Sequence, residues 1–359
     1  MRRWVVLLIL AMSSWFADAE TSVRAEYHPP TNLFALMDET ALLYPWSTDA
    51  YRETWTERFG WSRADRDMMQ RYKRYRKRTV DISGQSNRSP EDGLFSTRTA
   101  ALEDTDALAH HFITAASVDD ALATLEAAAP ADDAQMLRDF YAHFRPGWEV
   151  ILEESKVFED QAAVLNADLS GDQVDAFLGR MTAFYRVDGD LEFTLHFVWW
   201  PPIDRTIADL LGETFVLYRH PERHAGETDR AEIAMHEAAH YFSARQPAAQ
   251  KSALTAEFLE ICPIEADNLM HVIEEPLAVA WGQAAFAKYG KGAPLNPEQN
   301  WYRPPMPDVM GRLLWLHIDQ FYETDATITD GLVTEAAGYC ARILDAGETV
   351  RRKRSWWPF

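Results

Sequence analysis

The sequence predicts a predominantly helical α+β protein, and three features predict it. Helical patterning with capping residues runs over 27–158, a turn signal at Asp188-Gly189-Asp190 opens a strand-rich stretch, and helical patterning resumes after Pro221 almost to the end. In the first region Ser47 and Ser62 stand as N-caps before patterned stretches 48–59 and 63–78, with Gly60 as a stop for the first. Residues 99–166 are rich in Ala, Leu and Asp at helical spacing and read as further packed helices, with Asp120, Asp132 and Asp133 on a solvated face. Residues 191–200 (LEFTLHFVWW) are β-branched and aromatic and end at Pro201-Pro202; residues 214–218 (TFVLY) read as a second short strand.

The first nineteen residues stand apart. Arg2 and Arg3 precede an uninterrupted apolar run over 4–12, and Ala17-Asp18-Ala19 matches a small-x-small cleavage pattern, so a signal peptide over 1–19 is expected. The apolar run is short for a membrane span, so no stable span is expected after cleavage. The reading is an exported protein, periplasmic or extracellular. A helical N-terminal region is expected over 20–185, a mixed domain opening with a small sheet over 186–350, and a basic and aromatic tail over 351–359.

Composition narrows the function classes. The 359 residues hold 56 acidic against 35 basic side chains, a formal charge of -21, which argues against a nucleic-acid partner. Arg71, Lys73, Arg74, Arg76, Lys77 and Arg78 crowd the end of one helix, where the dipole stabilises cations. Two cysteines, Cys262 and Cys340, exclude a disulfide-built scaffold and a Cys-rich zinc domain; in an exported chain pairing and free thiols are about equally expected.

The chemistry concentrates at His236-Glu237-Ala238-Ala239-His240. On a helix, residues at i and i+4 project from one face, so both imidazoles can meet one metal ion, while Glu237 can reach a metal-bound water. Asp229 with Glu232 forms a capping box and Pro247 ends the helix. A chain with 11 His yields this pattern by chance on the order of 0.03 times. A third ligand is required. Ser243 and Gln246 replace the Gly and His that a metzincin needs, which excludes that branch. Downstream, Glu274 and Glu275 lead into an Ala-rich helix.

In these residues the sequence resembles the gluzincins, zincin metallopeptidases with HExxH on one helix and a glutamate ligand on a later one. Glu275-Pro276-Leu277-Ala278 is similar to the stretch that carries that glutamate. The resemblance covers about 190–290 and implies a zincin-like catalytic domain holding Zn2+ through His236, His240 and Glu275, with Glu237 as general base. Adjacent residues point about 100° apart on a helix, so one of the two carboxylates faces the metal. Pro276 starts or kinks a helix, which favours Glu275; Glu274, the alternative ligand, then faces solvent or braces a histidine. In the family an edge strand before the motif helix holds substrate, and the matching segment is Thr214, Phe215, Val216, Leu217 and Tyr218. His271, Tyr302, His317 and Tyr322 are candidate oxyanion stabilisers.

The resemblance thus implies an exported zinc metallopeptidase acting on a peptide or protein substrate. Two other functions fit the same residues: a catalytically silent peptidase-fold binding protein, and a zinc amidase acting on a non-protein, cell-wall amide. His110 and His111 lack carboxylates at ligand spacing, and His220 and His224 belong to the loop before the motif helix.

Overall fold

The computed structural model describes residues 21–43, 47–80, 106–189, 191–201, 207–211, 214–222, 230–265, 269–296 and 298–355. The expected signal peptide, Asp229 and the last four residues of the tail lie outside them. Among the described residues the chain is mainly helix around one four-stranded sheet.

The sheet opens with a strand that sequence patterning left inside the helical region. β1 (Thr21–Glu26) alternates buried and exposed residues and pairs in parallel with β2 (Leu191–Trp199). β2 pairs in parallel with β4 (Thr214–Arg219), and β3 (Ile207–Leu211) runs antiparallel along the outer side of β4, giving the order β1-β2-β4-β3. The expected edge strand Thr214–Tyr218 is therefore corrected: it is interior, flanked on both sides. The physical reason is topological. A tight β3–β4 hairpin feeding a strand parallel to β2 leaves only the outer position for β3. The continuous apolar run Phe215–Tyr218, buried throughout, is what an interior strand covered on both faces requires.

Because β1 closes one side of the sheet, the boundary near 186 does not divide two cores. One hydrophobic cluster extends from Val23 to Cys340. α1 (Pro29–Thr40) is buried along nearly its whole length beside β2. Its Asn32 accepts from the Trp199 backbone N–H at 2.8 Å, and Thr31 bonds His196 Nδ1 at 2.9 Å.

α2 (Ala50–Phe59) starts behind Asp49, not at the expected cap Ser47, and Asp49 makes no side-chain cap bond. α3 (Arg63–Thr79) has the expected Ser62 cap, closed into a capping box by Asp65. Across α3, Arg76 is fully buried and meets Asp38 of α1 at 2.7 Å and Asp106 at 2.6 Å. Asp106 in turn caps α4 (Ala107–Thr114) by accepting from the Ala109 N–H. α5 (Val118–Ala123), α6 (Ala131–Glu154), α7 (Val157–Asp168) and α8 (Asp172–Tyr185) complete this half.

After the sheet come α9 (Arg230–Arg245), which carries the motif, and α10 (Ala248–Ile261). A helical run then changes its hydrogen-bond step twice: wide, π-type turns over Met270–Glu274, an α-helical turn α11 (Glu275–Val279), and π-type turns again over Ala280–Gly290. α12 (Pro305–Thr324) and α13 (Leu332–Ser355) close the fold; α13 continues through the first residues of the expected tail. Cys262 and Cys340 are bonded, their Cα atoms 6.0 Å apart, which ties the end of α10 to α13.

Candidate metal centre

α9 is apolar around most of its circumference: Ala231, Ala234, Met235, Ala238, Ala239 and Phe242 are all buried. That burial seats the helix against the Ala280–Gly290 run, and one contact sets how close they come. A Cβ on Gly282 would lie 2.6 Å from the His236 backbone, so only glycine allows this approach. The close crossing brings the second half of the site to the first.

The local i, i+4 geometry places His236 and His240 together, their Nε2 atoms 3.2 Å apart. Glu275 meets both: Oε1 lies 3.3 Å from His236 Nε2, and Oε2 lies 3.3 Å from His240 Nε2. One donor atom from each of the three residues falls within 4.8 Å of the other two, a spacing that can hold a metal ion.

Glu274 does not compete for the same position. Its Oε1 lies 3.5 Å from His240 Nδ1, on the far side of that ring. The two adjacent carboxylates therefore address the two nitrogens of one histidine. The change of hydrogen-bond step between them makes this feasible, because Pro276 has no N–H with which to continue the preceding turn. His236 has its own outer acceptor: Gln283 Oε1 lies 3.4 Å from His236 Nδ1. Both rings thus have Nδ1 engaged outward and Nε2 facing inward, the arrangement that fixes tautomer and orientation in metal-binding histidines.

The electrostatics agree with a site built for a cation. Burial depresses the His240 pKa, but its hydrogen bonds to Glu274 and Glu275 outweigh burial and hold it well above the ordinary histidine value. For Glu275 burial pushes upward, yet the hydrogen bonds from His236 and His240 hold the carboxyl far below the usual carboxylate range. Glu237 sits half-buried on the same helix, and its charge acts on both His240 and Tyr302.

Of the four expected oxyanion candidates, the structure brings one to the centre. Tyr302 donates its hydroxyl to Glu275 Oε1, and its ring stacks on His236 with centroids 5.5 Å apart. Burial and the neighbouring Glu275 push its hydroxyl pKa up, so it remains a donor. A fixed loop end presents it: Asp308 Oδ1 accepts from the Trp301 N–H at 2.7 Å and from the Tyr302 N–H at 3.0 Å. Arg312 in turn holds Asp308 Oδ2 at 2.9 Å. The others lie in different surroundings. His271 is exposed, His317 bonds Tyr339, and Tyr322 stacks on Tyr289.

Gln283, Gly282 and Asp308 escaped sequence reasoning. Gln283 lies eight residues beyond Glu275, two helical turns along, and that spacing was the one local signal that could have found it. No protein-family model matches the chain, and neither the curated proteins nor the solved structures contain a match to it.

Proposed function

We propose that the protein is an exported zinc-dependent metallopeptidase with a gluzincin-like ligand set. The observation that carries this reading is the convergence of His236 Nε2, His240 Nε2 and the Glu275 carboxylate within metal-binding distance of one another. The donors suit zinc: two neutral-capable imidazoles and one carboxylate, three protein ligands of the kind that leave a position open for water. Zinc held by these three would polarise the scissile carbonyl and lower the pKa of the attacking water.

The chain's own residues would do the rest. Glu237, adjacent to His236 but absent from the converging trio, takes the proton of the attacking water and delivers it to the leaving amine. Tyr302, whose hydroxyl stays protonated and bonds Glu275, would turn that donor to the oxygen on which negative charge develops. Gln283 and Glu274 keep the two imidazoles aimed inward. The sheet edge for an extended peptide passes from the expected strand to β3, whose outer side is unpaired among the described strands.

The test is metal analysis of the purified protein with a broad peptide-library cleavage assay, with and without chelator, and isolated cell-wall material as a parallel substrate. Stoichiometric zinc with chelator-sensitive peptide cleavage supports the reading. Zinc with cleavage only of cell-wall amides moves the assignment to an amidase, and protein free of metal and of both activities overturns it.

A further inference from the structure

We propose that the exposed face of α3 is a docking surface for a membrane rich in anionic phospholipid. The helix Arg63–Thr79 carries eight of the chain's 35 basic residues within seventeen positions. Met69, Tyr72, Tyr75 and Arg76 are buried, and Arg76 is neutralised internally by Asp38 and Asp106. At 100° per residue, Arg63, Arg66, Arg71, Arg74, Lys77 and Arg78 fall on the opposite side, with Lys73 on the flank. Among the described residues Asp67 is the one carboxylate of that face, 3.9 Å from Arg63. Arg78 pairs with Asp133, and Lys73 donates to the Leu42 carbonyl. Arg66, Arg71, Arg74 and Lys77 have no carboxylate partner among the described residues.

Folding does not ask for this face. The helix dipole favours cations only in the last turn, whereas Arg63 and Arg66 stand near its first turn, where the dipole disfavours them. Lys73 with Lys77 and Arg74 with Arg78 are like-charge i, i+4 pairs, which destabilise a helix. Solubility does not ask for it either, because in a chain of charge -21 added cations bring the total toward neutrality. A surface kept against these tendencies fits an external anion.

Its shape selects the anion. The cations run along a single helix for about 21 Å, from Arg63 to Lys77, as a linear strip. At one end Gly60, with φ 81°, turns the chain sharply between Phe59 and Trp61. Phe59, packed on Trp55, is 36% exposed, and Trp61, half-buried with one face stacked on Phe144, has Arg52 over its ring. Aromatic side chains at the end of a basic helical face match a lipid headgroup boundary, where rings enter the interface and cations meet phosphate. The strip is independent of the metal centre.

The experiment is co-sedimentation of the full chain with phosphatidylcholine vesicles and with vesicles containing phosphatidylglycerol. A variant carrying Arg66→Gln, Arg71→Gln, Arg74→Gln and Lys77→Gln is run in parallel, with thermal melting to check its fold. The expected result is retention only on the anionic vesicles, reversed by high salt and lowered at least about tenfold in the variant. Retention that survives in the variant, or is equal on neutral vesicles, assigns binding to the leader or the tail and overturns the proposal. Lack of retention on either vesicle overturns it too. Anisotropy shifts of labelled single- and double-stranded oligonucleotides without vesicle retention would overturn it in favour of nucleic acid.

Discussion

Two buried polar clusters in this molecule each set side-chain nitrogens against two carboxylates, yet they are finished differently. Around Arg76, Asp38 and Asp106 each meet the guanidinium at 2.6–2.7 Å, Tyr72 adds a donor to Asp38, and the group closes on itself. Around Glu275, two imidazole Nε2 atoms and a carboxylate converge at 3.2–3.3 Å, and the outer acceptors Gln283 and Glu274 occupy the far sides of the rings. The first cluster satisfies its charges from within and locks three helices. The second aims lone pairs at a common point and is completed by a proton or a cation. Burial of charge alone therefore does not mark a functional site; the direction of the unshared electron pairs does.

The comparison can be broken at several points. The largest effect is expected at Glu237, which belongs to the second cluster's chemistry but not to its ligand set. Glu237→Gln should keep the metal and lower kcat by about 10²–10⁴-fold, the usual contribution of a general base. Near-native turnover with zinc retained would remove Glu237 from the mechanism.

Arg76→Ala should damage the fold and leave metal content unchanged in whatever protein is folded. It leaves two buried carboxylates without their cation, a loss of about 3–5 kcal/mol for breaking a buried pair. Denaturant unfolding measures it, and a loss within the range of an exposed ion pair would show that the cluster is not closed in the way described.

Metal removal should sort the clusters by stability. If zinc binds the native state alone, free metal at 1,000 times its Kd adds about 4 kcal/mol, so chelator should lower the wild-type Tm. His236→Ala and His240→Ala should melt alike with and without chelator. A wild-type Tm indifferent to chelator would argue against a tightly held ion.

The smallest expected effects separate ligands from braces. Glu275→Ala should lose metal affinity by far more than Glu274→Ala, and Glu274→Ala and Gln283→Ala should each cost about 10–100-fold, as outer partners of metal-bound histidines do. Competition with a chromogenic chelator reads these values. Loss of zinc in Glu274→Ala with retention in Glu275→Ala would reverse the assignment.

Much of the site was legible because its information is local. His236 and His240 are set together by helical pitch alone, and the apolar residues between them bury the helix that carries them. Pro276 marked the change in helical step that lets Glu274 and Glu275 serve different nitrogens of His240, and of the two places expected for Glu274, solvent or a brace on a histidine, the structure shows the brace. The Ser62 cap and the main strands were readable for the same reason, since caps and strand runs are written within a few residues.

Tertiary structure decided what depends on distant partners. Thr21–Glu26, which lies inside the expected helical region, becomes a strand because β2, some 170 residues on, supplies its pairing partner. Whether 214–218 is an edge depends on where β3 docks, and a strand's own residues fix its faces but not its neighbours. Tyr302 was one of four equal candidates until Asp308 fixed its loop against Glu275. The Cys262–Cys340 bond likewise needed the meeting of α10 with α13. The sequence by itself determined which side chains share a helical face and which helix is buried. Which of those faces meet was decided by long-range packing, because such contacts are selected by the energy of the whole core and leave no periodic trace along the chain.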